Sequence, residues 1–183
     1  MPAFRAFAFL AATIMSTFTP AAAAPADDTA ARARTFIAGH EARIRPLEKA
    51  ANLAWWNANV TGRDEDFKAK EDAQNKLDES LADKALFAEL KEIQRAKVRD
   101  PSLARQIDVL YLAYLEKQVD PALLKKITAK ANAIEQAFNV FRANVNGQET
   151  ADSEVRKILK ESRDSAQRRA VWEASKAVGR AVE

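Results

Sequence analysis

Apolar residues recur at steps of three and four along most of the chain after residue 30, which predicts a succession of amphipathic helices. A first long helix ends at Thr61 and Gly62, and its apolar positions are Ile37, Ile44, Leu47, Ala51 and Trp55. Pro46 inside it predicts either a kink or a division into two pieces. A polar helix from about Asp64 to Asp78 follows, and then a better-formed one with Leu86, Phe87, Leu90 and Ile93.

Two Asp-Pro pairs predict where the next helices begin, because aspartate is a good N-cap and proline suits the first helical position. After Asp100-Pro101, one buried face is expected from Ile107, Leu110, Tyr111, Tyr114 and Leu115. After Asp120-Pro121, the alternating spacing is typical of a coiled-coil-like seam made of Leu124, Ile127, Ala131, Ile134, Phe138 and Phe141. These two helices are expected to pack against each other or against a third.

The only strand signal lies around Asn146-Gly147, a dipeptide that favours a two-residue hairpin, with a plain loop as the equal alternative. Thr150 or Asp152 is expected to cap a short helix, and a last helix from Asp164 is expected to run past Glu183. The predicted fold class is all-α: an antiparallel helical bundle-like array with at most one small β-hairpin near Asn146-Gly147.

Residues 1–26 have the features of a secretory signal peptide. Arg5 supplies the positive start, an apolar run follows from Phe7 to Phe18, and Ala21 to Ala24 supply the small residues of a cleavage region. The run is shorter than the ~20 apolar residues of a spanning helix, so no membrane attachment is expected after cleavage. We therefore expect an exported protein, periplasmic or secreted, with a single domain over residues 27–183.

Composition narrows the chemistry that these helices can perform. The 29 basic and 26 acidic residues are interleaved along the chain, whereas a phosphate-binding face needs basic residues that are clustered, so no nucleic-acid partner is expected. His40 is the single histidine and there is no cysteine. Zinc, thiol and Ser-His-Asp chemistry need several such groups, so no catalytic or metal-binding residue is assigned and His40 is expected to be a surface or partly buried side chain.

The adjacent Trp55 and Trp56 are the most unusual local feature. Adjacent helical residues point about 100° apart, so both indoles cannot face one core. Either one reaches a groove or a partner, or one lies in the core and the other covers a helix junction. Asn57 and Asn59 place amide groups beside that second surface.

Two stretches of the sequence resemble a known family. Residues 55–61, Trp-Trp-Asn-Ala-Asn-Val-Thr, are similar to the first-helix signature of the angiotensin-converting-enzyme-like zinc peptidyl-dipeptidases. Residues 158–164 and 168–179, which include Trp172-Glu173-Ala174-Ser175-Lys176, resemble a segment that the bacterial members carry before their catalytic half. The resemblance extends from about Ala31 to the end, and the doubled tryptophan departs from the family's single aromatic residue.

The resemblance implies that residues 27–183 are the N-terminal lid region of a larger, helical peptidase fold whose catalytic half is absent. In that family the zinc ligands come from a downstream His-Glu-x-x-His helix and a later glutamate, so zinc is expected in the complete enzyme and not in this chain. The first helices form a lid over a channel, which places Trp56, Asn57 and Asn59 near the path of a peptide substrate. The missing catalytic half is the other expected partner.

Two functions follow from these observations. The first is the lid and channel-wall part of an exported zinc metallopeptidase of the peptidyl-dipeptidase type, not catalytic by itself. The alternative is a free-standing periplasmic helical module that binds a peptide or a partner through an apolar groove.

Overall fold

The computed structural model describes residues 26–182. It consists of helices joined by short connections, with one small antiparallel hairpin, so the all-α prediction is confirmed. The predicted signal peptide lies outside the described residues, apart from Ala26.

The longest element is α1, Ala26–Thr61, whose 36 residues extend for about 54 Å at 1.5 Å per residue. It continues through Pro46, so the division into two pieces that the proline allowed is not observed. The helix ends at Gly62, whose φ of +69° lies in the left-handed region that a residue without Cβ adopts freely. The Gly62 amide still donates to the Ala58 carbonyl at 2.9 Å, so the chain leaves the helix abruptly and reverses.

Four further helices follow: α2, Asp64–Leu81; α3, Lys84–Arg95; α4, Pro101–Glu116; and α5, Pro121–Val140. Both Asp-Pro predictions are confirmed. The Asp100 carboxylate accepts from the amides of Ser102 and Leu103 at 2.8 and 3.1 Å, and the Asp120 carboxylate accepts from the Leu123 amide at 3.0 Å. These caps satisfy amides that a helix leaves unpaired in its first turn.

The main core lies where the N-terminal half of α1 packs on α3 and α4. Its buried members are Ala33, Phe36, Phe87, Leu90, Ile93, Val98, Ile107 and Tyr114. The predicted buried face of α4 is correct for Ile107 and Tyr114 and wrong for Leu115, which is 43% exposed. Leu115 is adjacent to Tyr114 and therefore points about 100° away from the core that Tyr114 enters.

The C-terminal part has a small core of its own. Strands β1, Ala143–Val145, and β2, Gln148–Thr150, pair antiparallel, and positive φ values at Asn146 and Gly147 (54° and 88°) give the tight turn that their sequence predicts. Helices α6, Asp152–Glu161, and α7, Ser165–Lys176, pack there, with Ala143, Val155 and Val171 buried.

Two predictions for this part are wrong. The N-cap of α6 is Ala151 without a side-chain bond; Thr150 belongs to β2 and Asp152 is already in the first turn, where it pairs with Arg156 one turn on. The last helix is interrupted: α7 stops at Lys176, and the Ala177 amide bonds three residues back to Ala174, which tightens the turn before a short α8, Val178–Ala181.

Helix α5 turns its polar face inward, contrary to the predicted seam. It packs on α2 through Leu124, Thr128 and Asn132, which are buried. The seam prediction is correct for Leu124 and wrong for four other members, which form an exposed outer stripe, defined as Ile127, Ala131, Ile134 and Phe138. Ile127 and Phe138 are 51% and 64% exposed.

Hydrogen bonds explain why the polar face is the buried one. The Asp78 carboxylate of α2 accepts from Thr128 Oγ1 at 3.0 Å and from Gln74 Nε2 at 2.9 Å, and Lys117 Nζ lies 3.2 Å from it. Asn132 donates to the Phe67 carbonyl at 3.1 Å. We call this α2–α5 contact, with Lys70 and Glu135 described below, the polar seam; its groups satisfy one another, which offsets the cost of their burial.

Replacing Asp78 with alanine should lower the free energy of unfolding by about 2 kcal/mol, because Thr128 and Gln74 would lose the buried carboxylate that accepts their hydrogen bonds. Lys117 would keep only the exposed Glu116 as its acidic partner. The matched control is Glu79→Ala, the next residue, whose ion pair with Lys125 is exposed on both sides. That change should cost no more than about 1 kcal/mol. Urea denaturation of both variants measures the difference, and equal losses would contradict the structural role of the seam.

Candidate functional site

The residues that the resemblance assigns to a substrate path occupy the last turns of α1, but they do not share a face. Asn57 and Asn59 are two positions apart and so point about 160° away from each other. Trp56 is two positions before the buried Ala58 and points away from the bundle, with 60% of its surface exposed. Asn57 therefore points away from Asn59, whereas Trp56 and Asn59, three positions apart, lie about 60° apart around the helix and are neighbours on its surface.

Trp55 and Trp56 are both outside the core. Trp55 is 47% exposed, so the alternative in which one indole is buried is not observed. Trp55 lies over a cavity of about 490 Å³ between α1, α2 and α5. The cavity wall contains both seam cations and an edge of the outer stripe: Lys70, Lys117 and Ile127.

Asn59 is engaged in the packing of α1 on α5. Its side-chain amide donates to the Trp55 carbonyl at 2.9 Å and to Glu135 Oε1 at 3.1 Å. The Asn139 amide donates to the Asn59 side-chain and backbone oxygens, both at 3.2 Å. This amide therefore fixes the turn of α1 that presents Trp55 and Trp56.

Glu135 is the group on which these contacts converge. Its carboxylate accepts from Asn59 on α1 and from Lys70 on α2, and the Lys70 ammonium also donates to Asn132 Oδ1 at 3.1 Å. Burial raises the pKa of Glu135, but the hydrogen bonds from Lys70 and Asn59 outweigh it, so the net pKa lies below the usual value. Glu135 is therefore ionised at neutral pH.

A second cavity, of about 310 Å³, begins on the other side of Glu135. Phe138 and Asn139 of α5 line it together with Phe141, Val155 and Ser175. Both cavities thus border the outer stripe, and Glu135 separates them. An apolar side chain could contact this stripe while a polar group reached the amide and carboxylate groups beside it.

Sequence reasoning missed Lys70, Asp78 and Glu135. A signal for their side of α5 was present, because Thr128, Asn132, Glu135 and Asn139 repeat at steps of four, three and four. That spacing is the same as that of the apolar stripe, and apolar periodicity is the stronger general indicator of a buried face.

The second family motif lies on α7, where Val171 is buried and Trp172 is 52% exposed. Lys176 Nζ lies 5.5 Å from the centre of the Trp172 ring, a cation–π distance. Ser175 Oγ donates to the Trp172 carbonyl at 2.7 Å and also borders the second cavity. This motif thus has one residue in the small core and an indole at the surface.

The residues present do not fit a zinc ion. His40 is the only imidazole of the sequence and thiolates are absent, whereas an open zinc site takes three protein ligands. Within residues 26–182 no group of three or more histidine, cysteine or acidic residues is arranged to hold a metal. In the same range, none of the helices combines the length and apolarity needed to cross a bilayer.

Comparison with known proteins gives one match. Neither the curated proteins nor the solved structures contain a significant match to this chain. The family profile described as angiotensin-converting enzyme matches residues 27–183, which is most of the chain and covers every element described above except the first residue of α1. The chain therefore belongs to the angiotensin-converting enzyme family of metallopeptidases.

Proposed function

We propose that this chain forms the lid and channel wall of an exported zinc metallopeptidase of the peptidyl-dipeptidase type. It acts on a peptide by admitting and orienting it, and it is not catalytic by itself. The zinc ion and its ligands come from a part of the enzyme other than these residues. The family match over residues 27–183 is the observation that carries the proposal.

The small number of histidines and the absence of cysteine favour a role for this chain in substrate binding and access rather than in catalysis. A zinc peptidase activates water on a metal held by imidazole or carboxylate groups, with a positioned general base. With His40 as the only imidazole, the described helices can contribute binding and access, as lids do.

The exposed outer stripe favours a channel wall that becomes complete only when residues from another part of the enzyme pack on it. Ile127, Ile134 and Phe138 are 40% or more exposed on one face of α5, while the polar face is buried. Exposed apolar surface costs ~25 cal/mol per Å² relative to burial, and a contiguous patch of this kind marks a contact surface.

Within this proposal, Trp56 and Asn57 are the residues free to touch a peptide, because both are exposed. Asn59 contributes through its bonds to Glu135 and Asn139, which hold the turn in place. The three residues that the family resemblance selected would thus have two different roles.

The exposed stripe and the cavity under Trp55 also favour the second candidate, a free-standing periplasmic module that binds a peptide or a partner. An amphipathic segment laid along such a groove is a common mode of recognition. The two candidates differ in what the chain can do alone.

A reconstitution experiment tests the proposal. The catalytic region of a family member, expressed without its own N-terminal helices, is mixed with this chain, and cleavage of a dipeptide-releasing substrate is followed. We expect activity to increase on mixing. Trp56→Ala in the chain should then raise KM about tenfold, or ~1.4 kcal/mol of lost binding.

Trp172→Ala is the matched control, because Trp172 is similarly exposed, at 52% against 60% for Trp56, but lies on α7. It should leave KM unchanged. If the chain had no effect on activity, yet bound the peptide alone through Trp56, the free-standing module would replace the lid as the better function.

The purified chain should neither retain zinc after dialysis nor hydrolyse peptides, because one imidazole and no thiolate cannot build a three-ligand site. Metal analysis and a fluorogenic peptide assay check this. Stoichiometric zinc, or turnover that a chelator abolishes, would contradict it.

The chain should also bind a hydrophobic dye and self-associate, because the outer stripe is uncovered. The double variant Ile127→Gln with Phe138→Gln should lose most of the dye signal. Lys126→Gln with Lys130→Gln is the control on the same helix and removes no apolar surface. Fluorescence and light scattering report both, and a dye-negative monomer would show that the stripe is not a contact surface.

A further inference from the structure

The single histidine of the chain lies where α1 packs on α4. His40 Nδ1 is 3.1 Å from the Tyr114 hydroxyl oxygen, and the two ring centres are 5.7 Å apart. The Arg43 guanidinium donates to the same hydroxyl at 2.6 Å. Tyr114 is fully buried, so this hydroxyl has no solvent to pair with.

Counting protons fixes the direction of the His40–Tyr114 bond. The tyrosine oxygen accepts a hydrogen bond from Arg43. A guanidinium group contains only donors, so the hydroxyl proton of Tyr114 needs a different acceptor. Among residues 26–182, the ring nitrogen of His40 is the only acceptor within hydrogen-bond distance of that hydroxyl. Nδ1 must therefore be unprotonated, which assigns the neutral imidazole with its proton on Nε2.

Protonation of the ring reverses this arrangement. Nδ1 would then carry a proton and could only donate, so the tyrosine hydroxyl would face two donors and its own proton would lose its partner. A buried donor without a partner is costly, and a second cation would lie beside Arg43. The lost hydrogen bond and the repulsion between the two cations both weaken the contact between α1 and α4.

The charged groups around the pair favour the neutral ring. Burial is the largest cause that lowers the pKa of His40, followed by Arg43, while Glu48 and Glu41 on the same helix raise it less. Burial also raises the pKa of Tyr114. The Arg43 guanidinium lowers this pKa by a smaller amount, and Asp83, the N-cap of α3, adds to the increase. Tyr114 therefore keeps its proton throughout the range in which His40 titrates.

We propose that His40 is an acid-sensitive contact, and that its protonation loosens the N-terminal half of α1 from α4. The inference rests on the hydrogen-bond geometry of His40, Arg43 and Tyr114 and does not depend on the proposed peptidase function. It gives the helix that carries Trp55 and Trp56 a dependence on the pH of its surroundings.

The sign of the effect follows from the two states of the ring. The pKa of His40 is lower in the folded chain than its ordinary value of about 6.5, so the unfolded chain binds more protons between these two values. Stability is complete above about pH 6.5 and falls as the pH drops through the window towards the folded pKa.

Nuclear magnetic resonance of the purified chain tests the proposal directly, since one histidine gives one set of imidazole signals. We expect the Nε2-protonated tautomer at pH 7.5 and a titration midpoint below about 6.5. An Nδ1-protonated ring at pH 7.5, or a midpoint at or above that value, would overturn the proposal. This measurement needs no variant.

Variants then connect the titration to the helix contact. Tyr114→Phe should raise the midpoint of the His40 titration, because it removes the hydroxyl that favours the neutral ring. The control is Tyr111→Phe, which should leave the midpoint unchanged because Tyr111 stacks on Phe87.

Hydrogen exchange in residues 33–44, corrected for intrinsic rates, should be at least threefold faster at pH 5.5 than at pH 7.5. His40→Gln should abolish that pH dependence; the same acceleration in His40→Gln would show that other groups cause it.

Discussion

The length of α1 is the constraint on which the rest of the structure depends. A helix of about 54 Å is longer than one small core can cover, so different elements bury its two halves. Its first half lies in the core with α3 and α4, and its second half packs on α2 through Ala51 and Ala58. The small core of the hairpin, α6 and α7 is separate from both, and most of the apolar face of α5 stays exposed.

Local signals in the sequence predicted most of the fold. Asp100 and Asp120 cap helices as expected because their carboxylates act within a few residues, and Asn146-Gly147 forms a turn whose positive φ values those residues tolerate. The prediction for the buried face of α5 failed because distant groups decide it. The inward face of α5 depends on Asp78 and Lys117, and a helical pattern within α5 contains no information about partners 40 or more positions away, such as Asp78.

The candidate site was predictable only in part, for the same physical reason. The family signature selected a segment of α1 whose Asn59 is bonded to Glu135, and sequence reasoning gave Glu135 no role. The seam shows how a carboxylate can stay ionised in a half-buried position, since the Lys70 ammonium and the Asn59 amide replace the water that it loses. A polar interface of this kind specifies one register between helices more sharply than apolar contacts would.

A helix as long as α1 also behaves mechanically as a stiff rod. Trp56 lies about 24 Å from His40 along the axis, so a tilt of 5° at the His40 contact would displace the indole by about 2 Å. That displacement is enough to break the bonds of Asn59, whose lengths are near 3 Å. The two ends of α1 therefore move together: a small rotation in the core of α3 and α4 is amplified into movement at the tryptophans, and Pro46, which removes one backbone hydrogen bond between them, is the point at which the helix bends most easily.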